Sequence, residues 1–202
     1  MKGYDGYQAK KNEGYLSVPP VGVYKAVIQK ARFVSADGEK QQRDVIELFM
    51  DITEGEYKGR YMEIFNDQKE RFGEVSYKGL YRLTIPKNED EAWRKSKFEH
   101  DIWCVEECNA GFHWDWDKDE SQLNGKKVCI NLRTRLYTYN GKNYETTEIG
   151  RFESIKDFEA GKCKTLKVND RRSDEAKNAA EAQTSTDGSS FTEVTAEVAV
   201  PW

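Results

Sequence analysis

Two long runs joined by a two-residue turn restrict the folds open to this chain more than any other feature. Residues 126–139, KKVCINLRTRLYTY, and residues 142–155, KNYETTEIGRFESI, are separated only by Asn140-Gly141. A tight hairpin turn needs positive φ at both central residues, which asparagine tolerates and glycine adopts without penalty. The dipeptide between runs rich in β-branched and aromatic residues therefore predicts an antiparallel hairpin. Val128, Ile130 and Leu132 alternate with Cys129, Asn131 and Arg133, which gives the first strand one apolar and one polar face.

Further strands are expected upstream. VGVYKAVIQKARFV (21–34) and RDVIELFMDIT (43–53) are strand-like, and the polar SADGEKQQ between them carries the turn pair Asp37-Gly38. After EGEYKG, the run RYMEIFND (60–67) reads as a third strand, so the three form an antiparallel meander. KERFGEVSYKGLYRLTIP (69–86) fits a loop, a short strand or a single helical turn. Residues 88–108 predict a helix: Asn88 can cap it, acids fill its first turn, and Ala92, Lys95, Phe98, Ile102 and Val105 recur at three- and four-residue spacing. The order β-β-β-α-β-β is that of the oligonucleotide/oligosaccharide-binding barrel, in which a helix links the third and fourth strands. The expected fold is therefore mostly β, a five-stranded barrel of that kind with one linking helix plugging an open end. Other small antiparallel α+β domains share the order.

Charge divides the chain unevenly. Of 202 residues, 34% are charged and 37% hydrophobic, so the core must lean on nine Phe, five Trp and eleven Tyr. Residues 168–202 hold three basic and seven acidic side chains, which accounts for the whole net charge of −4 and leaves 1–167 neutral. A low overall pI thus leaves room for a polyanion partner on the body. The expected organisation is a flexible arm at 1–17, a binding domain at 18–167 and a disordered acidic tail at 168–202 with an apolar tip. No apolar run approaches the roughly 20 residues of a membrane helix, and the N-terminus has no signal-peptide character. Four cysteines without regular spacing suggest reduced thiols in the cytoplasm.

A barrel of this type grips single strands with aromatics that stack on bases and cations that follow phosphates. The second and third strands and their turn offer Arg43, Phe49, Tyr57, Lys58, Arg60, Tyr61 and Phe65. The last hairpin offers Arg133, Arg135, Tyr137, Tyr139, Lys142 and Tyr144, with alternate residues sharing a face. Trp114 and Trp116, interleaved with Asp115 and Asp117, are read as loop rings folded over the helix rather than as a sugar site. His100, Cys104 and Cys108 fall on one helical stripe with His113 beyond, but zinc sites join paired ligands from separate segments, so these are read as helix residues. No phosphate loop, nucleophile elbow or HExxH is present. Neither enzymatic activity nor a cofactor or metal is expected.

The stretch NAGFHWDWDKDESQLNGKKVCINLRTRLY, with Gly111, Phe112, Trp114, Leu123, Gly125 and Lys126, resembles a phage-encoded family of uncharacterised replication-cassette proteins. VPPVGVYKAVIQKARF and GEYKGRYMEIF are similar too, so the resemblance covers about residues 18–165. It implies a single-stranded-DNA-binding protein of the barrel class, encoded beside recombination and replication genes. The ending EVAVPW is similar in kind to the tail tip of bacterial single-stranded-DNA-binding proteins, although its acids are sparse and tryptophan replaces phenylalanine. By that likeness Val200, Pro201 and Trp202 would contact replication or recombination proteins. The expectation is a non-sequence-specific single-stranded-DNA binder of the bacterial host cytoplasm, compatible with a homo-oligomer. The alternative is a phage-related structural or adaptor protein that binds another protein through an aromatic surface.

Overall fold

The computed structural model describes residues 16–39 and 41–172. The N-terminal arm up to residue 15 and the tail from residue 173, with Val200, Pro201 and Trp202, lie outside the described residues.

The hairpin forms where the turn predicts it. Strands β4 (Lys127–Tyr139) and β5 (Lys142–Glu153) pair antiparallel from Cys129 opposite Glu153 to Tyr139 opposite Lys142. Asn140 and Gly141 take φ of 48° and 73°, as the turn requires. Upstream, β1 (Gly22–Val34) and β2 (Val45–Ile52) form the first antiparallel pair. Residues 60–67 are not the third strand. They open the helix α1 (Arg60–Phe72), and the third strand is β3 (Leu80–Thr84), inside the segment that fits loop, strand or helical turn alike. Two causes make α1 a helix. Tyr61 and Ile64 are buried at helical spacing, and the Asp51 carboxylate at the end of β2 accepts hydrogen bonds from the Tyr61 and Met62 amides at 3.1 and 3.2 Å. That remote carboxylate supplies the cap that Gly59 cannot.

The sheet order is β3-β2-β1-β4-β5, with a sixth strand, β6 (Asn169–Arg171), parallel to β4. Pairing of β1 with β4 ends at Gly22 opposite Leu132. Pro20 just upstream has no N–H to continue a ladder, and β6 then pairs with β4 at Arg135–Tyr137. The body thus continues past residue 167, into the segment expected to be unstructured. The fold is mostly β with helices, as expected, but it is a six-stranded mixed sheet and not a closed five-stranded barrel.

Side chains of α2 explain why the sheet stops short of closing. Irregular register at Ile28–Lys30 in β1 and at Asn131–Leu132 against β5 bends the sheet, and the rings of Tyr81 on β3 and Phe152 on β5 meet at 4.6 Å. The backbones of those strands do not pair. Helix α2 (Ala92–Cys108) reaches into the seam instead. Buried Asp101 accepts from the Tyr81 hydroxyl at 2.5 Å and faces the Phe152 amide at 3.5 Å, while His100 Nε2 meets the Phe152 carbonyl at 3.2 Å. The helix therefore serves the edge groups that a closing strand would otherwise take. It starts at Ala92 rather than at an Asn88 cap.

The core lies inside this curl. Ile28, Leu48, Met50, Leu83, Ile130, Leu132 and Phe152 are fully buried and are joined by Phe98, Ile102 and Val105 from α2. At Gly79 the chain enters β3 so closely that an added Cβ would sit 2.3 Å from the Met50 carbonyl. Cys129 and Asn131, expected on a polar face, are also buried. The short helix α3 (Ile155–Glu159) and the chain after it cover that side, and Asn131 Nδ2 donates to the Lys164 carbonyl at 2.9 Å. No helix among the described residues is long and apolar enough to cross a membrane.

Candidate nucleic-acid interface

The curl leaves a groove of about 570 Å³ between the β3 side and the outer half of the β4–β5 hairpin. Lys78, Arg82, Lys97, Arg133, Arg135 and Arg171 line it, with Glu148 as the single carboxylate among the lining residues. Tyr77 and Tyr137 supply rings, and Thr146 and Thr147 supply hydroxyls.

Four of the cations are held at the groove by identifiable contacts. Arg133, Arg135 and Tyr137 alternate along β4 and so share one side of the strand. Glu148, on β5 opposite Arg133, accepts from Arg133 Nε at 2.9 Å and lies 3.8 Å from Arg135 Nη1. One carboxylate thus positions two guanidinium groups and neutralises only one. The Arg135 guanidinium lies over the Tyr137 ring at 5.3 Å, and its Nε has no hydrogen-bond partner among the described residues. Tyr137 in turn stacks on Tyr144 at 5.5 Å with ring planes 24° apart. From the other wall, Arg82 is anchored by Glu47 at 3.0 Å, a carboxylate it shares with Arg32 across the β1–β2–β3 ladder. Lys97 is held by Asp101 at 2.8 Å and also touches the Tyr81 hydroxyl. Burial first, and the Arg135 charge second, hold Lys78 below the ordinary lysine value. Burial and then the Asp101 charge push the Tyr81 hydroxyl well above its ordinary range, so it stays a neutral donor.

Of the residues expected to bind, Arg133, Arg135 and Tyr137 line the groove, and Tyr144 backs it. Tyr139 and Lys142 sit exposed beside the hairpin turn. The set from the expected second and third strands and their turn lies elsewhere. Tyr61 is 2% exposed and belongs to the core. Phe65 packs edge-on against Tyr77 at 5.6 Å, and Tyr57 against Tyr24 at 5.9 Å. Arg43 Nη1 donates to both carboxylate oxygens of Asp90 at 2.7 Å, and Arg60 pairs with Glu63 at 3.3 Å. Lys58 is exposed in the turn before α1. Arg60, Tyr61 and Phe65 lie outside the groove because a helix stands where a strand is expected, whereas Arg43 falls in the loop before β2 and Tyr57 and Lys58 in the turn before α1. Sequence reasoning alone misses Lys78, Arg82, Lys97 and Arg171. The alternation of GLYRLT around Arg82 is a usable signal, whereas Lys97 and Arg171 converge only through the tertiary fold.

A second surface is aromatic. Trp114 and Trp116 fold over α2, with Trp116 stacked on Phe98 at 5.2 Å and Trp114 edge-on to it at 6.1 Å. They border a cleft of about 530 Å³ with Trp103, and Trp93, Trp103 and Trp116 remain 57%, 44% and 62% exposed. Among the described residues no group of three or more His, Cys, Asp or Glu is arranged to hold a metal ion. His100 and Cys104 contact each other at 3.6 Å within α2, while His113 points outward 3.9 Å from Glu106. The chain matches no protein-family model and no curated protein.

Proposed function

We propose that this protein binds single-stranded nucleic acid, DNA in the first instance, along the groove between β3 and the β4–β5 hairpin. The carrying observation is six cationic side chains facing one carboxylate in a groove that also holds Tyr77 and Tyr137. Phosphates are attracted to such a lining whatever the sequence, and a base stacked on a tyrosine gains roughly 1–3 kcal/mol irrespective of its identity. Holding an unpaired strand ready for replication or recombination enzymes is the role that fits such an activity, and the resemblance to phage replication-cassette proteins points the same way. The test is a fluorescence-anisotropy titration of labelled oligo-dT at several salt concentrations. Binding weakens steeply as salt rises, duplex of equal length binds far less, and Arg133→Ala with Arg135→Ala lowers affinity at least ~10-fold, equivalent to about 1.4 kcal/mol. Arg43→Ala, outside the groove, leaves affinity unchanged. Salt-insensitive binding, or an equal weakening in both variants, rejects the reading.

The exposed Trp93, Trp103 and Trp116 favour a second reading, an adaptor that docks another protein on the α2 face. An adaptor of that kind gives a flat oligo-dT titration.

A further inference from the structure

We propose that Cys108 and Cys129 form a dithiol that hydroperoxides oxidise, with Cys108 attacking first and Cys129 closing the disulfide. Cys108 is the last residue of α2, and Cys129 lies near the start of β4. Asn109 fastens the two elements together. Its Nδ2 donates to the Lys127 carbonyl at 2.7 Å, and its Oδ1 accepts from the Lys127 amide at 3.0 Å. This two-way clamp fixes the helix end against the strand and brings Cys108 and Cys129 close enough for each thiol to shift the other's titration. Cys108 is half-buried, whereas Cys129 is buried.

The surroundings give the two sulfurs different work. The Cys129 thiol, and after it the backbone at Ile155 and Cys129, favour the Cys108 thiolate. Together these outweigh burial and bring its pKa down to about 7. Cys129 is pushed the other way, first by the Cys108 thiol and then by burial. Around the pair stand Glu107 beside Cys108, its carboxylate held by Lys156, and Lys25, directly across the sheet from Cys129 and 3.1 Å from Glu54. Burial raises both other thiols, Cys104 and Cys163. Only Cys108 therefore combines access to solvent with thiolate character, the pairing that marks a reactive cysteine.

The chemistry balances without a metal. The Cys108 thiolate attacks the distal oxygen of a hydroperoxide, the O–O bond breaks, and Cys108 becomes a sulfenic acid as an alkoxide or hydroxide leaves and takes up a proton. Cys108 is then neutral, so the charge that held the proton on Cys129 is gone. Cys129 loses that proton and attacks the Cys108 sulfur; the S–S bond forms, the S–O bond breaks, and water departs. Two thiols and one peroxide give one disulfide, one alcohol or water, and one water.

The experiment uses the full chain. Native protein is treated with hydrogen peroxide, remaining thiols are alkylated after denaturation, and the digest is mapped by mass spectrometry. The expected product is a peptide linked through Cys108 and Cys129, with Cys104 and Cys163 alkylated. Before oxidation, native Cys108 reacts with iodoacetamide at least ~10-fold faster than Cys163, the ratio of their thiolate fractions near neutral pH. Cys129→Ser traps the Cys108 sulfenic acid as a dimedone adduct. Linkage through Cys163 instead, cross-linking between chains, or a Cys108 no faster than Cys163 overturns the proposal, and the wild-type measurements decide even if the variant does not fold.

Discussion

Glu47 concentrates the electrostatics of the β1–β2–β3 face in one side chain. It is buried, yet its two oxygens serve two guanidinium groups, Oε2 to Arg32 and Oε1 to Arg82. Burial pushes its carboxyl up, but the hydrogen bonds and charges of Arg32 and Arg82 together outweigh burial and leave it below the ordinary value. A carboxyl depressed in the folded state contributes stability that is complete above the unfolded value, about 4.3 for glutamate. That contribution fades as pH falls through the folded value. Glu47→Gln should therefore lower the unfolding midpoint at pH 7 by the equivalent of ~1–3 kcal/mol, the scale of hydrogen bonds to charged groups. The wild-type midpoint should then drop towards that of the variant as pH falls below about 4.3. Thermal melts from pH 3 to 7 check this, and a constant gap across that range would refute it.

At the scale of elements, Asp51 decides whether residues 60–72 make a helix. Its carboxyl is raised by burial against three backbone donors, Ile52, Tyr61 and Met62, so an acceptor is what the position requires more than a charge. Asp51→Ala is expected to cost ~1–2 kcal/mol, as removal of a helix cap does, and to raise amide exchange in α1 before the sheet. Asp51→Asn, which keeps an acceptor, recovers most of that stability. An alanine variant as stable as wild type would show that α1 is held by Tyr61 and Ile64 alone. The same interaction explains what the sequence could convey. The β4–β5 hairpin is legible because Asn140-Gly141 sits inside the segment it organises, and α2 because its apolar spacing runs for four turns. Helix α1 is not legible from residues 60–67, since its cap comes from another strand and its periodicity extends to Phe72. Arg133, Arg135 and Tyr137 can be grouped by alternation alone. Their partners Lys97 and Arg171 cannot, because only the bend of the sheet and the late strand β6 bring them alongside.

Across the whole molecule, the proposed binding groove draws on the same stretch of chain as the core except for Arg171. The buried hydrophobic residues run from Ala26 to Phe152, whereas Arg171 arrives with β6. A chain ended at residue 168 is therefore expected to keep a single cooperative unfolding transition. It should bind oligo-dT more weakly, with the slope of log K against log salt shallower by ~0.7 for each phosphate no longer neutralised. Unchanged slope together with unchanged affinity would remove Arg171 from the interface.

The seam at Phe152 has a mechanical consequence. Had β3 and β5 been laced by a backbone ladder, spreading them would break strand pairs in register. Here Tyr81, Asp101 and His100 do the fastening, so parting the two edges breaks side-chain contacts and leaves every strand pair intact. A sheet left open along this seam presents its groove from the side, where a closed barrel would offer only its ends.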